Sequence, residues 1–346
     1  MRKFLLVMGL FAAGIIALLM GPLKEPFLKA KQYYTASDQD KGRIEYRLGN
    51  EASRNGNNVK AMWHYDRAIK FFPNHANAHY SRGTLKNDMG DYRGALDDFN
   101  IALELNPKDG WAYNNRAHSK NNLGDYEGAL QDATRAIELD AKDPSPYNNR
   151  GIAKDNLKDY AGAIEDYNRS IELRPNHSRT YTNRGNAKKE LGDLKGALSD
   201  HDKAIELNPY NAGAYMNRAL TKDALKDYQG ALADYDHTLS ISPRFAMAYS
   251  NRGYTKNQMG RYQDAIADLN KALQISPYYA LAYANRGFAH VALGNYEKGL
   301  ADYNYALALD GSMANTYRYR AQVKEILGDK QGADEDWAQF KQLEAQ

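Results

Sequence analysis

From Gly42 onward, hydrophobic and polar positions recur every 34 residues with no insertion or deletion, through nine units that begin at Gly42, Ala76, Gly110, Pro144, Ser178, Ala212, Ala246, Ala280 and Ala314. Within a unit, apolar and small residues fall at helical spacing over positions 2 to 14 and again over 17 to 30. This predicts two amphipathic helices per unit. A Gly-Asp pair such as Gly124-Asp125 or Gly192-Asp193 separates them. Glycine past a helix end takes the left-handed conformation, and the aspartate caps the free N–H groups of the next helix. Position 32 is Pro in six units (Pro73, Pro107, Pro175, Pro209, Pro243, Pro277) and stops the second helix. Position 8 is always Gly or Ala, and position 20 is Ala except for Gly299, so helix backbones approach closely. One such hairpin cannot bury its own apolar face. The period therefore predicts units stacked over a continuous core.

Position 4 is Tyr in seven units: Tyr113, Tyr147, Tyr181, Tyr215, Tyr249, Tyr283 and Tyr317. With the small residues at 8, 20 and 27, the aromatic near 24 and the proline at 32, the pattern resembles the tetratricopeptide repeat (TPR) family. The resemblance implies an all-α fold, a right-handed superhelical solenoid of nine tetratricopeptide helix-turn-helix repeats, and a function carried on surfaces. A second regularity departs from the family, in which position 7 is commonly Leu. Here it is Arg in eight units (Arg82, Arg116, Arg150, Arg184, Arg218, Arg252, Arg286, Arg320), and the same eight carry Asp at position 23. The first unit has neither, with Leu48 and His64 instead. Joint presence and joint absence predict a partly buried ion pair between the two helices of a unit, fixing register more than adding net stability.

Ahead of the repeats, Phe4 to Leu23 is a run of twenty residues without a charge, long enough as a helix to span a bilayer. It ends Leu18-Leu19-Met20-Gly21-Pro22, a poor cleavage site. The organisation expected is an N-terminal transmembrane anchor or uncleaved signal over 1–23, a linker over 24–41 and repeats over 42–346. Arg2 and Lys3 favour a cytoplasmic N-terminus, giving a single-pass membrane protein with extracytoplasmic repeats, periplasmic in a bacterium. Lys24, Lys29 and Lys31 pull the other way.

Composition narrows the chemistry. Lys and Arg number 46 against 43 Asp and Glu, a near balance that disfavours nucleic acid as a partner. There is no cysteine, which removes disulfides, thiolate metal sites and cysteine catalysis. No catalytic constellation stands out and no cofactor is expected. The metal-like spacing of His75 and His79 straddles a repeat boundary.

The candidate chemistry lies on the first helix of each unit. Positions 4, 7, 8, 11 and 14 should face the core, leaving 2, 5, 6, 9, 12 and 13 for the groove or solvent. Position 6 is Asn in six consecutive units: Asn115, Asn149, Asn183, Asn217, Asn251 and Asn285. Each amide can donate to and accept from a peptide backbone. The row resembles the asparagine ladder in the repeat region of the glycosyltransferase that modifies proteins with N-acetylglucosamine; it can equally be a soluble surface choice. Units one to five place Asn77, Asn87, Asn121, Asp155, Arg179, Asn186 and Lys189 on the stripe, and units six to eight place Met216, Leu220, Met247, Tyr254, Leu281, Phe288 and Val291 there. Such an apolar patch marks a binding site, unless its members pack across adjacent units. The clamp that related repeats use for chaperone C-terminal tails needs Lys at position 5, and no unit has it. The function expected is a membrane-tethered adaptor binding a peptide or protein segment in the concave groove. The alternative is a structural component of a membrane or envelope assembly that self-associates through the solenoid.

Overall fold

Helix boundaries follow the capping chemistry of the repeat. The computed structural model describes residues 33–345, and the chain divides into two units, residues 1–153 and 154–346. The first holds α1 (Asp38–Arg54), α2 (Asn58–Phe71), α3 (Ala76–Asp88), α4 (Tyr92–Leu105), α5 (Gly110–Leu123), α6 (Tyr126–Leu139) and most of α7 (Pro144–Asn156). The second holds the end of α7, then α8 (Tyr160–Leu173), α9 (Ser178–Glu190), α10 (Leu194–Leu207), α11 (Ala212–Ala224) and α12 (Tyr228–Ile241). It continues through α13 (Ala246–Gln258), α14 (Tyr262–Ile275), α15 (Ala280–Ala292), α16 (Tyr296–Leu309), α17 (Ala314–Ile326) and α18 (Lys330–Glu344). No strand occurs among the described residues. Within each unit, odd-numbered helices pack on the even-numbered helix that follows, and each hairpin packs on the next. In the second unit the odd-numbered helices also touch one another in succession, as stacked repeats require. The all-helical repeat array expected from the period is therefore the fold.

Six second helices begin at an aspartate whose carboxylate accepts from the N–H of a glycine three residues on, as in Asp125 from Gly128 at 3.0 Å and Asp193 from Gly196 at 2.9 Å. Glycine is needed there for room: a Cβ on Gly196 would lie 2.0 Å from the Asp193 carboxylate. Where Arg261 or Asn295 takes the aspartate's place, no side-chain cap forms, and Asp264 or Lys298 replaces the glycine. The core is built of alanines at close helix contacts with Phe99, Tyr167, Tyr235, Leu269 and Tyr303 fully buried between them.

The arginine and aspartate repeat is an ion-pair lattice. Arg184 donates through Nε and Nη2 to Asp200 at 2.9 and 2.6 Å, and through Nη1 to Asn168 of the preceding repeat at 2.7 Å. Its guanidinium lies 5.5 Å from the Tyr181 ring centre, and Lys188 reaches the same aspartate at 2.8 Å. Arg82–Asp98, Arg116–Asp132, Arg218–Asp234, Arg252–Asp268, Arg286–Asp302 and Arg320–Asp336 repeat the fork. Burial works against the charge of Asp98, but hydrogen bonds from His79, Arg82 and Lys86 overcome it and hold the carboxyl well below the usual range. The first repeat substitutes its own version. Glu45 is buried there and bonded by His64 at 2.6 Å, Arg67 at 2.8 Å and Tyr33 at 2.5 Å.

The single-pass membrane localisation with extracytoplasmic repeats is overturned. No helix among the described residues is long and apolar enough to cross a membrane. The longest, α1, has 17 residues and is strongly charged, about 25 Å at the helical rise and short of a bilayer core. The run Phe4 to Leu23 and the first half of the linker, residues 24–32, lie outside the described residues.

Candidate peptide-binding surface

The position-6 asparagines divide into two kinds. Asn115 Nδ2 donates to Tyr80 Oη at 3.2 Å and Thr84 Oγ1 at 3.3 Å, and Asn149 Nδ2 donates to Asn114 Oδ1 at 2.9 Å, each reaching the preceding repeat. Asn149 is buried. These two amides tie repeats together and are not free for a ligand. Asn183 is half-buried and also has a partner. The amides of Asn217, Asn251 and Asn285 are half-buried, and none forms a side-chain hydrogen bond among the described residues. Position 12 carries a second tie, from side-chain amide to the backbone carbonyl at position 6 of the next repeat: Asn87 to Asn115 at 3.2 Å, Asn121 to Asn149 at 2.8 Å and Asn257 to Asn285 at 2.8 Å.

Among the apolar candidates, Met216 is corrected. It is 3% exposed and packs in a core cluster with Ala219, Ala231, Tyr235, Leu239 and Ala248. The side chain is part of that core and leaves the candidate surface. Leu220 is half-buried, and Met247 is 47% exposed on the first turn of α13. The structure gathers Tyr254, Leu281, Asn285 and Phe288 around one groove of about 540 Å³ formed by α13, α15 and α17. Leu281 and Tyr254 are 42% and 44% exposed. Asn257, Gln258, Met313, Asn315 and Tyr319 join the lining with Ala284, Ala314 and Thr316, and no Asp, Glu, Lys or Arg is among its residues. Tyr319 stands edge-on to Phe288, ring centres 5.7 Å apart, and closes the apolar wall.

Sequence reasoning missed Met313, Asn315 and the part played by Tyr319, although Asn315 and Tyr319 sit at positions 2 and 6 of the ninth unit. It also read the first half of the stripe as polar. Trp111, at position 2 of the third unit, is 66% exposed there and lines a second hollow with Tyr80, Lys108, Asp109 and Asp140. His75 and His79 do not converge: His79 places one ring nitrogen 2.9 Å from the Pro73 carbonyl and the other 3.2 Å from Asp98. Among the described residues, no group of three His, Asp or Glu side chains is placed to hold a metal ion.

Comparison with known proteins bears on the fold. Models described as tetratricopeptide or TPR repeat match residues 76–109, 99–131, 144–177, 178–211 and 253–294. A tetratricopeptide repeat protein from Parabacteroides merdae ATCC 43184 superposes with a TM-score of 0.57 at 22% identity, over 72% of this chain and 98% of its own. The structure of the APC/C hetero-tetramer Cut9-Hcn1 superposes with a TM-score of 0.65 at 12% identity, over 82% of this chain and 54% of the other. Likeness at these identities is likeness of fold. A search of curated proteins finds no match. Period, hairpin geometry and repeat models agree that this chain carries tetratricopeptide repeats.

Proposed function

We propose that the protein is a non-catalytic adaptor that holds a peptide or protein segment in the groove formed by α13, α15 and α17. The observation that carries this reading is the composition of the groove. Tyr254, Leu281, Phe288 and Tyr319 offer an apolar wall, while Gln258, Asn285 and Asn315 stand beside it without a charged side chain. A contiguous exposed apolar surface with convergent amides favours an uncharged stretch of chain, whose apolar side chains take the wall and whose backbone meets the amides. Asn217 and Asn251 extend the row of amides along α11 and α13, so the ladder narrows from six residues to Asn217, Asn251 and Asn285.

A photoreactive residue in place of Asn285 tests it, with a second probe in place of the exposed Tyr305 on α16 as a control. Capture specific to the Asn285 probe should fall at least about 100-fold in the Leu281→Ser/Phe288→Ser variant, since each lost apolar anchor is worth about 1.5–3 kcal/mol. Far-UV ellipticity should not change. Undiminished capture by that variant sinks the proposal.

A further inference from the structure

Repeats four and six place the same two side chains at the same two positions, with different outcomes. In repeat six, Tyr235 on α12 donates to Asp223 on α11 at 2.7 Å, and Thr255 of the next repeat donates to both carboxylate oxygens at 2.8 and 2.9 Å. In repeat four the equivalents are Asp155 on α7 and Tyr167 on α8, and Ala187 stands where Thr255 would be. With that hydroxyl gone, Asp155 Oδ1 and Tyr167 Oη are both buried without a hydrogen-bond partner. The Tyr167 side chain is completely buried, whereas Asp155 is half-buried. Buried polar atoms are nearly always paired in native proteins, so two in adjacent side chains point to a partner. The electrostatics specify its sign. Burial and the nearby Glu190 carboxylate both raise the proton affinity of Asp155, and Lys189, which opposes them, is drawn to Glu190 at 3.0 Å.

We infer that Asp155, with the Tyr167 hydroxyl behind it and Glu190 beside it, forms a subsite for a primary ammonium group, brought by a lysine side chain or a free polyamine. An ammonium has three donors and no acceptor, which matches two carboxylate oxygens and a hydroxyl lone pair. It also supplies the positive charge that repeat four lacks at this point. The subsite lies in repeats four and five and does not depend on the groove of α13, α15 and α17 being occupied.

The test follows the aspartate carboxyl carbons of the full chain by NMR, with Asp155→Asn identifying the signal. Without a probe, Asp155 should titrate near its raised value of about 6. N-acetyl-lysine N-methylamide, at ionic strength matched with sodium chloride, should lower that midpoint saturably by about one pH unit, a tenfold preference for the ionised form. The neutral Nε-acetylated analogue should not. Ala187→Thr restores the hydroxyl of repeat six and should abolish the response. Tyr167→Phe should weaken binding about tenfold, the effect of one hydrogen bond to a charged group. Putrescine shifting the midpoint more than the lysine derivative assigns a free polyamine, and the reverse assigns a protein side chain; either outcome upholds the subsite. An unmoved midpoint, or equal shifts from the charged and neutral probes, overturns it.

Discussion

At the scale of single residues, repeats four and five hold two titratable groups whose surroundings act in opposite senses. His201 is fully buried with both ring nitrogens unpartnered, and burial pushes its pKa down to about 4, with Asp200 opposing. An unfolded histidine binds its proton near pH 6.5, so between 6.5 and about 4 the unfolded chain holds more protons. Its contribution to stability is therefore lost as pH falls through that window. Asp155 runs the other way. Its folded value of about 6 lies above the reference 3.8, so the native state holds more protons between them and stability rises as pH falls from 6. Replacing His201 with phenylalanine isolates the first effect, and Phe99 over Gly83 shows that the ring fits against a glycine like Gly185. The midpoint of urea unfolding should increase in His201→Phe, and by more at pH 5 than at pH 7.5. Equal gains at both pH values would show that the histidine is not held neutral by burial. Neither group was legible as perturbed in the sequence, because orphaning depends on contacts made across the hairpin and with the next repeat: Ala187 stands where Thr255 reaches Asp223 in repeat six, and Thr221 bonds the Asn217 carbonyl and leaves the His201 ring unpartnered.

At the scale of helices, what was legible was local. Glycine turns, aspartate caps and prolines act on neighbours a few positions away, so the predicted boundaries fall close to those of α5 and α6. The pairing of Asp193 with Gly196, broken together at Arg261 and Asp264, could also have been read from the repeats alone. The wheel assignment of position 5 failed because it treats a hairpin in isolation. Met216 is buried in a core cluster made by the second helix of its own hairpin and by Ala248 of the next repeat. Asn115 and Asn149 were misread for the same reason, since their partners Tyr80 and Asn114 lie 35 residues back. Gly299, the exception at position 20, has a comparable explanation. A Cβ there would meet Val291 Cγ2 at 2.4 Å, so the branched valine on α15 occupies the space that alanine fills elsewhere on the second helix. Gly299→Ala should destabilise the α15/α16 hairpin by roughly 1–3 kcal/mol through overpacking, and adding Val291→Ala should recover most of that loss. A double-mutant cycle in urea that gives simple additivity would dissociate the two residues.

At the scale of the whole molecule, the helices that repeat are short and amphipathic, and each spends its apolar face on adjacent helices. That is why the groove could be placed on the later repeats from the sequence while its depth could not, the depth being set by how three first helices lie together. Stability in such an array is nearly a sum of hairpin and nearest-neighbour terms. In the second unit, α9 packs on α10 and α11, α10 on α11, and so on through α18. A fragment starting at Ser178 should then keep all its internal interfaces from α9 onward and fold cooperatively, with ellipticity per residue close to that of the full chain. One starting at Leu194 removes α9 and strips the cover from Ala197, His201 and Ala204 on α10, all fully buried in the intact chain. Its unfolding midpoint should drop further than the loss of 16 residues alone would suggest, because an orphaned second helix is added to the missing first one. Circular dichroism melts of the two fragments decide the matter: if the fragment from Ser178 is unfolded while the full chain is folded, stability is shared over more than neighbouring hairpins and the additive description fails.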